Sequence, residues 1–411
     1  MPEVACLEDY PLRAVEAGAC AAPKAGCVEH LRVGFFTEVY RPVVNGVVAS
    51  VDGLAAGLRE CGNEVYCFAP RMPGAERSDG AVFRMPSLPL PARTPYRLTL
   101  PLVSRRNVNT VIKRLSLIHV HSPFITGWMG LRYARRYGMP VVYTYHTQLE
   151  AYAHYVPFEA NATRYAASQL TRTFGNLVDA VIVPTAAMSE HLRELGVLTR
   201  IDVVPSGIDI EFYGAGRRSD ELRARLGARP GERLALFVSR LAIEKNLDVV
   251  LRAMAGANDP TLRLAIAGDG PARGDLEELA RSLGISRHVA FLGEVAREQL
   301  PDLYASADAF VFPSTSETQG LVQAEALAAG SLVIAADTPQ NRDVLGGVGI
   351  LCEVDVAAFA AALRAIPLEP DPARAERSRF AAGRFAVADQ VTRTLEIYWS
   401  LVEGGRISDS A

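Results

Sequence analysis

The chain has 411 residues, 49% hydrophobic and 22% charged, with a formal net charge of −3; these are the values of a core-rich globular protein of two domains. No stretch approaches eighteen consecutive apolar residues, which excludes a membrane-spanning helix. The six cysteines (Cys6, Cys20, Cys27, Cys61, Cys67 and Cys352) include no close CxxC pair, so reduced thiols are expected rather than a zinc ribbon or a redox pair.

Residues 1–29 mix Ala, Pro, Cys and Glu without periodicity and lack the basic start and apolar stretch of a signal peptide. They read as a loose tail, or as translation assigned from too far upstream, and they predict a cytoplasmic protein. From residue 31 onward, short apolar runs alternate with amphipathic stretches. Runs at 31–36, 64–69, 117–121, 140–145 and 179–184 have the length and β-branched or aromatic content of buried strands, and helical patterns such as 45–61 separate them. The chain pauses at the turn-forming stretch 205–216, after which a second series follows at 233–239, 262–268, 288–293, 307–313 and 331–336. The expectation is therefore α/β: two Rossmann-like domains with parallel sheets, residues 30–206 and 212–384, facing each other across a ligand cleft. A last helical segment, 387–402, is expected to cross back to the first domain.

Charge is unevenly distributed. Residues 1–210 carry 21 basic and 18 acidic side chains, and the remainder 22 and 28. No acidic residue lies between Asp79 and Glu150, a span that holds ten basic ones, which predicts a positive surface for an anionic partner. Within it, Val108, Val111, Ile112 and Leu115 fall on one helical face and Arg105, Arg106, Lys113 and Arg114 opposite. Such a helix suits an anionic membrane, or else packs as an ordinary amphipathic helix on the sheet.

Ligands of such sheets bind beyond the carboxyl ends of the strands, so the residues there are the candidates. Asn45–Gly46 precedes a helix, where a glycine either turns the chain or lets backbone N–H groups approach an anion. His119 and His121 share a strand face and His146 ends the next strand. Three imidazoles admit zinc, but no metal is expected. Arg240 and Lys245 follow a strand closely, as two cations for a diphosphate would. The segment 266–274 has glycines at 268, 270 and 274, a weak match to a dinucleotide fingerprint, and reads better as a turn whose backbone meets a nucleotide base. There is no GxxxxGK[ST] loop and no GxSxG elbow. In 310–337, Glu317 stands before a turn and Glu325 lies eight residues on, about 12 Å along a helix. Glu317 there suits sugar hydroxyls, Glu325 a ribose, and the N–H groups of Gln319, Gly320 and Leu321 a phosphate. Two acids without partners in an apolar helix would be costly, which itself suggests a polar ligand.

Together, the Asn45–Gly46 turn, HVH at 119–121, SRLAIEK at 239–245, GDGP at 268–271 and the Glu317/Glu325 pair resemble family 4 of the retaining glycosyltransferases, which have the two-domain GT-B fold. The resemblance runs from about Leu31 to Leu401. It implies that Glu317 contacts the donor sugar, Glu325 the ribose, Arg240 and Lys245 the diphosphate and Gly46 the phosphates. It places His121 beside the reacting sugar, and it implies a nucleotide diphosphate sugar as co-substrate with no required metal or other cofactor. No convincing DxD motif is present. TYHTQLEAYAHY, which holds His146, and SETQGLVQAEALAAG resemble the bacterial diacylglycerol glucosyltransferases. That likeness implies UDP-glucose or UDP-galactose as donor, a lipid acceptor and a peripheral position on the inner face of the plasma membrane, with His146 on the acceptor side. Family members that use mannose or other acceptors often have Phe or Leu where this chain has Gln319, so this position is expected to tune sugar choice. The alternatives are a GDP-mannose-dependent mannosyltransferase, a transferase with a soluble acceptor and, less consistent with SRLAIEK, a nucleotide-sugar 2-epimerase of the same fold.

Overall fold

A computed structural model describes residues 30–75, 80–89, 97–101, 106–155 and 159–408. The loose-tail expectation for residues 1–29 and the side chains of Arg105 and Arg106 lie outside what is described. The chain divides into two compact units, one of residues 208–386 and one in which residues up to Gly207 are joined by those from Val387 onward.

The unit that begins the chain runs β1 (Arg32–Phe36), α1 (Gly46–Glu60), β2 (Glu64–Pro70), β3 (Val82–Met85), β4 (Ser87–Pro89), β5 (Arg97–Thr99), α2 (Arg106–Ile112), β6 (Leu117–Val120), α3 (Ile125–Tyr137), β7 (Val141–Thr144), α4 (Ala160–Gly175), β8 (Ala180–Val183), α5 (Ala186–Glu194) and β9 (Arg200–Val203). Its main sheet is parallel throughout, in the order β3-β2-β1-β6-β7-β8-β9. The central strands are buried on both faces, which is why they read as unbroken apolar runs. Short β4 and β5 pair antiparallel apart from it.

The second unit runs α6 (Ile210–Gly214), α7 (Asp220–Arg225), β10 (Arg233–Val238), α8 (Leu247–Ala257), β11 (Leu262–Ala267), α9 (Arg273–Ser282), β12 (Val289–Gly293), α10 (Leu300–Ser306), β13 (Ala309–Phe312), α11 (Leu321–Ala328), β14 (Leu332–Ala336), α12 (Pro339–Leu345), β15 (Ile350–Cys352), α13 (Val356–Arg364) and α14 (Pro372–Ala382). Its sheet, β12-β11-β10-β13-β14-β15, is also parallel. The last helix, α15 (Val387–Ser408), belongs to the first unit and packs on α1. A Cβ at Gly57 of α1 would stand 2.5 Å from Val391 Cγ2, so only glycine allows the two helices this approach.

All ten apolar runs read from the sequence are strands. Besides the short β4–β5 pair, the strands without such a signal, β3, β9 and β15, lie at sheet edges, where partial exposure mixes polar residues into the pattern. In each sheet the strand order reverses once, between β1 and β6 and between β10 and β13. A crevice opens at the carboxyl ends of such strand pairs because the connections leave to opposite sides.

Of the two readings of the α2 segment, a membrane face or ordinary packing on the sheet, its apolar face follows the second. Ile112 and Leu115 are buried and Val108 and Val111 pack against the same core, so the apolar face of the α2 segment is already covered by protein. Burying that face against its own sheet removes the apolar area a membrane helix would need. Lys113 and Arg114 remain exposed just beyond its end.

Candidate functional site

In the second unit the residues singled out by sequence converge on the β10/β13 reversal. Lys245 ends a tight turn after β10, and its ammonium forms an ion pair with Glu317 Oε1, in the loop after β13. Ser314 Oγ donates to the same carboxylate at 2.9 Å. Lys245 is only 7% exposed, and a buried cation requires such a partner. Asn246 adopts a left-handed conformation (φ 52°) and donates to the carbonyl of Pro313 at 3.1 Å, tying the two loops together. Arg240 is exposed and pairs with Glu244 at 2.6 Å.

Gly268 and Gly270 lie against this loop. A Cβ on Gly268 (φ 132°) would stand 2.0 Å from the carbonyl oxygen of Ser239, and one on Gly270 would stand 2.2 Å from that of Leu241. Leu241 N–H in turn donates to the carbonyl of Asp269 at 2.9 Å. The glycines are thus required by backbone packed on backbone.

Glu317 stands outside α11, whose N-cap is Gly320 (φ 78°) with no capping side chain. Gln319 is buried. Beneath the loop, Gln323 Nε2 donates to Asn341 Oδ1 at 2.8 Å, while Asn341 Nδ2 donates to the carbonyls of Ala336 and Ser314. Glu325, one helical turn into α11, accepts from the Tyr304 hydroxyl at 2.8 Å. Burial pushes its carboxyl above the usual carboxylate range, while the Tyr304 and Tyr213 phenols and Arg297 pull it back. The sequence expectation of two partnerless acids is therefore corrected. Both carboxylates have partners, supplied by other elements that spacing along one helix does not reveal.

In the first unit the β1/β6 reversal carries the histidines. His121 N–H donates to the carbonyl of Phe36, continuing the β1–β6 pairing, and Phe35 meets both His119 and His121 edge-on. His119 is a core residue, with Nδ1 2.6 Å from the Tyr398 hydroxyl of α15 and Nε2 2.6 Å from Thr144 Oγ1. His121 Nδ1 lies 3.0 Å from His146 Nε2, while His121 Nε2 is buried without a protein partner. An orphaned buried nitrogen is rare in a native structure and marks where a ligand or water belongs. Burial holds all three imidazoles well below their ordinary value, His146 at about 4, so they are neutral at pH 7. Gly46 opens α1, and Asn45 Oδ1 accepts the Val48 N–H at 2.9 Å. Among the described residues, no group of three or more His, Cys, Asp or Glu is placed to hold a metal ion.

Three features went unread in the sequence. Glu38, just after β1, accepts from Thr99 N at 3.2 Å and Thr126 N at 2.9 Å, capping α3 from a distant loop. Tyr304 and Tyr213, beside Glu325, carry no sequence signal that sets them apart from core aromatics. Phe124, Trp128, Arg132 and Arg136 follow one another at four-residue steps. The two aromatics are 44% and 39% exposed and the arginines are exposed, as is Arg135. That last signal was available, as an aromatic stripe on a helix side that should be polar.

Residues 218–382 match the family model for glycosyl transferases group 1, and residues 44–212 the model for Glycosyltransferase Family 4. The chain is 34% identical over 322 residues to the alpha-monoglucosyldiacylglycerol synthase of Streptococcus pneumoniae, covering 77% of this chain and 73% of that protein. It is 33% identical over 325 residues to the GDP-mannose-dependent alpha-mannosyltransferase of Mycobacterium tuberculosis, covering 77% of this chain and 81% of the relative. Its fold matches that of sucrose-phosphate synthase from Thermosynechococcus elongatus with a TM-score of 0.73 at 21% identity, over 91% of this chain and 100% of that one. With both halves matched and relatives at this identity over most of their length, the chain belongs to glycosyltransferase family 4, as a GT-B enzyme with a nucleotide diphosphate sugar as its donor.

Proposed function

We propose that the enzyme transfers a hexose, glucose or galactose, from its UDP conjugate to a lipid acceptor such as diacylglycerol at an anionic membrane surface. The observation that carries the lipid reading is the outer side of α3, where exposed Phe124 and Trp128 lead into Arg132, Arg135 and Arg136. Trp128 rests edge-on against Phe174 (5.5 Å) while 39% of its surface remains exposed, the half-wet placement typical of interfacial aromatics. Arginines beside such anchors each add about 1 kcal/mol of attraction to an anionic surface. The diacylglycerol synthase named above is related to this chain over most of its length, which supports the same acceptor class.

In this reading residues 212–384 form the donor side and residues 30–206 the acceptor side. Lys245 and Arg240 take up the charge that develops on the departing diphosphate, helped by the N–H groups of Gln319, Gly320 and Leu321. Gly46 approaches the phosphates, Gly268 and Gly270 keep the Arg240 loop in register, and Glu317 and Glu325 bind the sugar and the ribose. His121, neutral, offers its orphaned Nε2 to the transferred hexose, with His146 holding its other nitrogen. The bond from the anomeric carbon to the diphosphate oxygen breaks, and a bond to the acceptor oxygen forms on the same face. The acceptor proton passes to a phosphate oxygen of the leaving nucleotide.

The test is a panel of UDP-glucose, UDP-galactose and GDP-mannose against diacylglycerol in mixed micelles with and without anionic lipid. Glycolipid formed from a UDP-hexose and stimulated by anionic lipid is the expected result. Turnover of GDP-mannose alone would favour the second reading, supported by the 33% identity to the mannosyltransferase. Equal rates on a soluble acceptor without lipid would remove the membrane from the reading.

A further inference from the structure

We propose that Tyr304, backed by the ring of Tyr213, is a positioning residue for Glu325, fixing its carboxylate for the donor ribose; this rests on the assignment of Glu325 to the ribose. Tyr304 comes from α10 and Tyr213 from α6, and both are buried, at 0% and 4% exposure. Their rings meet edge to face with centroids 6.1 Å apart, and Tyr304 packs in the same manner on Phe310 of β13 at 5.5 Å. At such apolar positions phenylalanine would fill the volume as well. Instead, the Tyr304 hydroxyl donates to Glu325 Oε2 at 2.8 Å, and the Tyr213 phenol is near enough to favour the ionised carboxylate. A hydroxyl from another helix, itself held by the packing of its ring, restrains a side chain that otherwise has three rotatable bonds, and binding groups locked in this way lose less freedom when the ligand arrives.

The surroundings make the phenols suited to the task. Burial and the nearby carboxylate push both well above the ordinary phenol value, so they remain donors at any pH at which the enzyme works. Glu325 itself is pushed up by burial, and the neighbouring phenols draw it down. The remaining charged neighbour is Arg297, which lies over the Phe212 ring at 4.9 Å and also favours the carboxylate. Several polar groups on the other elements packed against α11 have partners elsewhere. From α14, Arg379 reaches the carbonyl of Ala329 at 3.4 Å. From α12, Asn341 holds Gln323, Arg342 pairs with Asp337 and Asp343 acts on Arg384. Strands β13 and β14 bring only apolar side chains.

Removing the Tyr304 hydroxyl should therefore do two things. It frees the carboxylate to rotate, and it lets the carboxyl take up a proton at higher pH. In the full-length enzyme, Tyr304→Phe is expected to bind UDP about tenfold more weakly at pH 7, and to move the acid limb of donor kcat/KM up by about one pH unit. Maximal kcat is expected to change little. Glu325→Gln is expected to weaken UDP binding and abolish the acid limb, and adding Tyr304→Phe to it should produce no further pH shift. If Glu325→Gln binds UDP as the parent does, the ribose assignment itself fails. If Glu325→Gln weakens binding but Tyr304→Phe leaves affinity and acid limb in place, the positioning role is overturned. Should Tyr304→Phe not fold, Glu325→Asp, which draws the carboxylate back from the Tyr304 hydroxyl, is expected to raise the acid limb in the same way, and an unmoved acid limb overturns the role.

Discussion

The two strand-end clusters solve the same problem with opposite electrostatics. After β10 and β13 the side chains are charged and paired, Lys245 with Glu317 and Arg240 with Glu244. After β6 and β7 they are imidazoles held neutral by burial, linked to one another and to hydroxyls. A charged cluster suits a diphosphate, and a neutral one suits sugar hydroxyls, which are donors and acceptors at once. The difference also predicts how each fails. Charged pairs break expensively when one partner is removed, whereas neutral clusters respond to pH.

The largest effect should come from Lys245→Ala, which strands a Glu317 side chain that is only 19% exposed. Activity is expected to fall by about 10²–10³-fold, the range for loss of one preorganised charge-stabilising group. Melting temperature should fall as well, because an uncompensated carboxylate remains behind. Glu317→Gln in the same background should recover part of that melting temperature but none of the activity. Turnover within tenfold of the parent for Lys245→Ala would break the comparison at its charged end.

Next comes pH. In the unfolded chain the histidines take up protons near 6.5, whereas in the folded enzyme burial holds their pKa values below that, His146 at about 4. The unfolded state therefore binds more protons in this window, and stability present above pH 6.5 is lost progressively towards pH 4. A melting series from pH 8 to pH 4 should show the decline, and His146→Asn should flatten its slope. An unchanged slope would mean that the imidazoles do not set it.

Tyr398→Phe tests the structural histidine. It leaves His119 Nδ1 buried without its partner, at a cost of about 1–3 kcal/mol in unfolding free energy, with kcat within a fewfold of the parent. A large kcat loss at unchanged stability would instead move His119 into the chemistry.

The smallest effect separates two basic surfaces. Lys113→Ala with Arg114→Ala should reduce binding to anionic vesicles less than Trp128→Ala with Arg132→Ala. The α2 segment has no free apolar face to insert beside its charges, whereas α3 exposes two aromatics. Equal losses in vesicle flotation would return the membrane contact to α2.

The sequence by itself determined the two series of parallel strands, because a strand buried on both faces needs a short unbroken apolar run, here rich in β-branched and aromatic residues. It also located the strand-end residues and, through SRLAIEK and the Glu317/Glu325 pair, the family. The tertiary structure alone decided who partners whom. His119 meets Tyr398 across 279 positions, Lys245 meets Glu317 across 72, and Glu325 meets Tyr304 from another helix. It also decided which amphipathic faces stay open, covering that of α2 and leaving the side of α3 exposed. Periodicity reports that a face is apolar, because side chains repeat with the helix or strand. It carries no record of what will lie against that face once distant segments pack together.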